Sequence, residues 1–106
     1  MFKSIVKRTG STVPFNKEKI VNAISKAGAA TGEFGNAEAR KLATRAVKIA
    51  LKQIVGRNPA VEEIQDIVEQ VLMRSKFKKA AKAYMIYRQQ HAEMRAFATS
   101  ASLGLI

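Results

Sequence analysis

Lys7, Arg8, Gly10, Asn16 and Lys19 fall close together near the start of the chain. Cations beside a glycine turn and a helix cap suit phosphate oxygens. Free amides at a helix N-terminus point at the anion, lysine adds a mobile point charge and arginine a planar fork. Val6, Phe15 and Ile20 are interleaved with them and offer apolar contact to a base. The same string also fits an ordinary surface, with the cations solvated and Phe15 in a core.

Catalytic equipment is sparse. His91 is the only histidine and Asp66 the only aspartate, and a lone helical histidine is more often structural than catalytic. Glu62, Glu63, Asp66 and Glu69 share spacings that bring several of them near one helix face. Such a cluster can hold a hydrated cation, but a solvated helix surface is the simpler reading. Neither a G-x-x-x-x-G-K-[ST] loop nor a G-x-G-x-x-G motif after a strand is present. With no cysteine, disulfides, zinc ribbons and thiol catalysis are excluded. No catalytic residue and no metal site is assigned.

With 106 residues, 47% of them hydrophobic, the chain has the length of one domain and the means to pack a core. Lysine and arginine number 19 against 8 acidic residues, a net charge of +11, so an anionic partner is expected. Composition leaves nucleic acid, free nucleotide and an acidic protein face all open. No apolar run reaches the roughly 20 residues that span a bilayer, and no signal-peptide pattern opens the chain, so a soluble cytoplasmic domain without membrane contact is expected.

The cations need a scaffold. Residues 5–8 (IVKR) and 12–15 (TVPF) are β-prone runs around Thr9-Gly10-Ser11, which reads as an antiparallel hairpin. Pro14 cannot donate to a ladder, so its strand lies at an edge or ends there. A lone hairpin is marginal and must pack on something. Asn16 caps a first helix with an apolar stripe of Ile20, Ile24 and Ala27, flanked by Val21 and Ala23. The glycines at 28, 32 and 35 break that pattern. A second helix starts near Asn36, carries Leu42, Ala43, Ala46, Val47, Ala50 and Ile54, and stops at Gly56.

Asn58 as cap and Pro59 in the first helical position open a third helix, with Glu62 and Glu63 in its positively polarised first turn. Its apolar face is Val61, Ile64, Val68, Val71 and Leu72. A fourth helix runs from about residue 77 to 95, with Ala81, Tyr84, Met85, Arg88 and His91 along one side. Residues 96–106 carry no charge and read as a tail or linker beyond a domain of residues 1–95. The fold class is mainly α with a small β-hairpin: a four-helix cluster capped by two short antiparallel strands.

Residues 5–20, IVKRTGSTVPFNKEKI, resemble the opening motif of the ATP-cone family: a hydrophobic pair, Lys-Arg, a glycine turn, then Phe-Asn-x-x-Lys-Ile. The third-helix segment from Pro59 to Leu72 is similar too, and Ala81-Lys82-Ala83-Tyr84 with Tyr87-Arg88 resembles the A-x-A-Y-x-x-Y-R signature of the last helix. The likeness covers roughly residues 3–95. It implies an allosteric module that reversibly binds ATP or dATP and controls a ribonucleotide reductase, acting through oligomerisation. Magnesium would be held mainly by the phosphates. The implied partners are the adenine nucleotide, the reductase's catalytic body and further copies of the cone. The last-helix signature leans towards anaerobic or cobalamin-type reductases. A complete reductase-operon repressor, which carries a zinc ribbon, is excluded by the lack of cysteine.

Carried over by position, the resemblance places Ile5, Lys7 and Arg8 on the first strand at the nucleotide. Asn16, Lys19 and Ile20 join them from the cap and first helical turn, and Gln65 from the third helix. Three positions depart from the aerobic-type pattern. Val13 replaces a glutamate near the adenine or ribose, Val61 a threonine near the phosphates, and Gln90 a phosphate-binding lysine for which Arg88 substitutes. The competing reading is a small nucleic-acid-binding helical module, with Lys76, Lys78, Lys79, Lys82, Arg88 and Arg95 as a basic stripe. Against it stands the absence of a recognisable base-reading helix. A purely structural oligomerisation domain is the third possibility.

Overall fold

A computed structural model describes the backbone of residues 1–104 and the side chains of residues 1–92. The chain opens with β1 (Ser4–Val6) and β2 (Thr12–Pro14), paired antiparallel with Ile5 opposite Val13 and Ser4 opposite Pro14. Pro14 closes β2 at no loss of a ladder bond, and the Phe15 amide beyond it donates to the Lys3 carbonyl at 3.0 Å. Both strands are shorter than the sequence suggests. Lys7 and Arg8 lie past β1, because the turn begins at Lys7: its amide donates to the Ser11 carbonyl (2.8 Å) and its carbonyl accepts from Gly10 (2.9 Å). Gly10 closes that turn at φ 88°, where a side chain would be strained.

Four helices follow, α1 (Lys17–Thr31), α2 (Asn36–Gln53), α3 (Val61–Arg74) and α4 (Lys78–Gly104). They pack in a ring, α1 on α2, α2 on α3, α3 on α4 and α4 back on α1. Val21, Ile24, Leu42, Ile64, Val68, Leu72 and Tyr84 share one core, with Phe2, Ile5 and Phe15 of the hairpin region packed against it. Ile24 and Leu72 are fully buried, and each contributes on the order of 2 kcal/mol of transfer free energy. The fold is the expected one, mainly helical with a hairpin cap.

Several boundaries move, each for a local reason. α1 does not break at Gly28 but runs through it to Thr31, and ends at Gly32 with φ 71°. Gly28 is there for close packing: a Cβ would sit 2.4 Å from the Phe34 ring. α2 stops at Gln53, before Gly56, because Ile54 turns extended and into the core. The N-cap of α3 is Ala60 rather than Asn58. Pro59 therefore lies before the helix, buried, with its carbonyl accepting from the Val6 amide at 2.8 Å. Glu63 caps α3 instead, accepting from the Ala60 amide at 2.9 Å.

On α3, Ile67 joins the buried face and Val61 is only half-buried. α4 buries Ala80, Ala81 and Tyr84, whereas Met85 and His91 are exposed. The helical backbone of α4 continues past residue 95 to Gly104. Of the uncharged segment, Leu105 and Ile106 lie outside the described residues. Glu33 caps α4 from a distance, accepting from the Ala80 amide at 2.6 Å, beside a Phe34–Phe77 edge contact of 4.7 Å.

Candidate functional site

A cavity of about 350 Å³ lies between the hairpin, the start of α1, α3 and Tyr84 of α4. Side chains alternate along a strand, and that puts Ile5 and Val6 of β1 on opposite sides. Ile5 lines the cavity, Val6 and Arg8 lie beside Ala60 and Glu62 on the other side, and Lys7, in the turn, borders both. Phe15, Asn16, Lys19 and Ile20 line it from the start of α1, and Gln65 from α3. The structure thus brings together seven of the ten residues and leaves out Val6, Arg8 and Arg88.

The polar groups of the cavity share one property. Lys7 and Lys19 have no carboxylate partner among the described residues. Asn16 spends its Oδ1 on the Glu18 amide, at 3.0 Å. That leaves its NH₂ as the free half of the side chain. The α1 terminus itself offers fewer free amides than the sequence suggested, since Asn16 takes Glu18 with its side chain and Lys19 with its carbonyl (3.1 Å). Ile5, Phe15, Ile20, Ala23, Ile64 and Val68 supply apolar wall.

Both arginines proposed for phosphate are engaged elsewhere. Arg8 Nε lies 3.1 Å from Glu62 Oε1. Arg88, one-fifth exposed, reaches Asp66 Oδ1 at 2.7 Å and Glu69 Oε1 at 3.5 Å. Partial burial opposes the Arg88 charge, but the Asp66 and Glu69 carboxylates together outweigh it and raise the arginine's pKa. Glu63 is bound by Arg57 at 2.7 Å. Every carboxylate of the α3 cluster therefore answers an arginine, and no group of three or more potential metal ligands occurs among the described residues.

The α4 basic stripe is interrupted as well. Arg88 belongs to the α3 cluster, Lys78 donates to the Met73 carbonyl, Lys76 lies over the Phe77 ring (5.5 Å to its centre), and the Arg95 side chain is outside those described.

Val13 and Val61, which the resemblance put near the ligand, line the cavity, whereas Pro14, Ala23, Ile64, Val68 and Tyr84 line it without having been singled out for it. Val13 was legible by pairing, because the residue opposite Ile5 shares its face. Tyr84 was not: only the packing of α4 against α1 and α3 decides that its ring turns to the cavity. Its burial raises the phenol pKa well above the ordinary value. No helix among the described residues is long and apolar enough to cross a membrane.

Residues 3–93 match the family described as the ATP cone domain. The chain belongs to the ATP-cone family. This cone is 43% identical over 100 residues to a vitamin B12-dependent ribonucleoside-diphosphate reductase of Thermoplasma acidophilum, covering 90% of the chain and 13% of that protein. It is 39% identical over 89 residues to the anaerobic ribonucleoside-triphosphate reductase of Escherichia coli, covering 83% of the chain and 12% of that protein. With the ribonucleoside-diphosphate reductase subunit alpha of Chlamydia pneumoniae it shares 35% over 100 residues, 88% of the chain and 10% of that subunit. The chain thus spans between 10% and 13% of the length of these relatives. The first two are of the cobalamin and anaerobic types towards which the last-helix signature leaned. An ATP cone is a regulatory nucleotide-binding domain.

Proposed function

We infer that this ATP cone binds ATP or dATP reversibly beneath the hairpin, leaves it uncleaved, and so controls the activity of a ribonucleotide reductase through a change in oligomerisation. The observation that carries the reading is a pair of lysines without a partner among the described residues, Lys7 and Lys19, on a cavity that also holds the amides of Asn16 and Gln65. Its volume of about 350 Å³ falls in the usual range for small-ligand sites, roughly 300–1,000 Å³. Lys7 and Lys19 meet the phosphates, and Ile5, Phe15 and Ile20 face the base. Val6 and Arg8 support them from the other face of the hairpin, and Arg88 from behind Gln65. Magnesium travels with the phosphates. Among the described residues no histidine, aspartate or glutamate lines the cavity, which fits binding without hydrolysis.

A switch requires different affinities for two states of the assembly. The partner in that assembly is the catalytic body of a reductase, together with further cones. In this reading residues 1–95 form the nucleotide-binding unit, residues 96–106 are a tail or linker, and the protein works in the cytoplasm away from membranes. Calorimetric titration with ATP and dATP at moderate salt, followed by sedimentation with each, is the test. Saturable heat without phosphate release, and a sedimentation change with one nucleotide, are expected. A folded sample that gives no heat with either nucleotide overturns the reading.

A further inference from the structure

Gln65 is the one polar side chain of α3 that lines the cavity, and Arg88 sets its orientation. Arg88 Nε lies 3.2 Å from Gln65 Oε1, while its terminal nitrogens lie 2.7 Å from Asp66 Oδ1, 3.5 Å from Glu69 Oε1 and 3.4 Å from the Glu62 carbonyl. A guanidinium has donors only, so it can engage nothing but the amide oxygen of Gln65. The Gln65 NH₂ is what remains for the cavity. Asn16 is in the same condition, with its oxygen on the Glu18 amide. Beside Lys7 and Lys19, the polar side chains of this cavity are therefore donors, the Tyr84 hydroxyl alone being able to accept. A wall of donors suits an acceptor-rich, anionic group.

Resting on the cavity's reading as a nucleotide site, we propose that Arg88 is a positioning residue that holds the Gln65 NH₂ towards the cavity, where it donates to a phosphate oxygen. Arg88 itself does not touch the ligand. Its charge is already answered by Asp66 and Glu69, which leaves geometry as its contribution. Gln65 and Arg88 then act as one unit, and removing either loses the same hydrogen bond.

Two measurements on the full chain test this. The first needs no nucleotide: ¹⁵N relaxation of the Gln65 side-chain amide. It is expected to be ordered in the wild type, unlike the exposed Gln53 and Gln70, and to become as mobile as they are in Arg88→Met. A Gln65 amide already that mobile in the wild type overturns the proposal.

The second is ATP titration of Gln65→Ala, Gln65→Glu, Arg88→Met and the Gln65→Ala/Arg88→Met double variant. Gln65→Ala should weaken binding about five- to tenfold, and the double variant no further. Gln65→Glu keeps the shape and the Arg88 contact but turns an oxygen to the cavity, so it should bind more weakly than Gln65→Ala. Additive losses, or wild-type affinity in Gln65→Glu, overturn the proposal. Should Arg88→Met fail to fold, the Gln65→Glu comparison alone decides. An ordered Gln65 in a chain that gives no heat with ATP upholds the orientation and overturns the phosphate contact together with the nucleotide reading.

Discussion

The Val6 amide donates to the Pro59 carbonyl at 2.8 Å, so the outer edge of the hairpin is tied to the chain leading into α3. A two-stranded hairpin is marginal by itself, and this bond fixes the roof over the cavity on the α3 side. Hydrogen exchange should find the Val6 amide protected at least about tenfold over that of Thr9 in the turn. ATP should slow exchange at Val6 and Phe15 further, because a ligand between roof and floor must leave before the hairpin opens. Unchanged protection at both residues would mean that the hairpin does not close over the nucleotide.

The turn after β1 separates two cations adjacent in sequence. Lys7 faces the cavity, and Arg8 faces Glu62. Lys7→Ala and Lys19→Ala are each expected to weaken ATP binding about tenfold or more, the scale of a charge-assisted hydrogen bond. Arg8→Ala should cost less than about threefold, since a partly exposed ion pair contributes little. Calorimetry on variants with an unchanged helical spectrum is the check, and an Arg8 effect as large as that of Lys7 would move the phosphates to the other face of the strand.

Gly28 packs directly beneath Phe34, whose ring in turn meets Phe77. Gly28→Ala, benign in most helices, is here expected to destabilise by about 1–3 kcal/mol through overpacking. Thermal unfolding should register this as a lower Tm, by roughly 4–8 °C for each kcal/mol. An unchanged or raised Tm would show that Phe34 swings aside freely.

Glu63 titrates well below its ordinary value of 4.5, at about 2, because Arg57 hydrogen-bonds its carboxylate and the Ala60 amide donates to it. Between those two values the unfolded chain binds the proton and the native state does not, so stability rises with pH across that window. Acidification from about pH 4.5 towards 2 is expected to lower Tm, and Glu63→Gln should flatten the decline. Glu18, lowered by its hydrogen bond to Arg40, acts in the same direction. Equal slopes with and without the Glu63 carboxylate would contradict the cap.

How far the sequence was legible depended on range. The Asn16 cap and the α2 stripe are local, with spacing that follows the helical period, and they stand where periodicity put them; on α3 the stripe does so except that Ile67 replaces Val61 in the core. Helix ends were misread where tertiary packing overrode a local stop: Gly28 looks like a breaker until Phe34 lies on it, and Pro59 looks like a first helical residue until Val6 takes its carbonyl. At the site, strand alternation could have separated Ile5 from Val6, but Lys7 and Arg8 are parted by the turn and by the Glu62 carboxylate that takes Arg8. The engagement of Arg88 by Asp66 and Glu69 depends on how α3 and α4 dock, which a single sequence does not state.

Amide shift mapping during an ATP titration of the ¹⁵N-labelled chain, with the nucleotide assayed afterwards, is the most direct measurement of what this cavity does. Saturable shifts concentrated at Lys7, Asn16, Lys19 and Gln65, with ATP recovered intact, are expected. Shifts that spread over the exposed lysines and vanish with added salt, or ATP returned as ADP, would contradict a donor-lined pocket that holds a nucleotide without cleaving it.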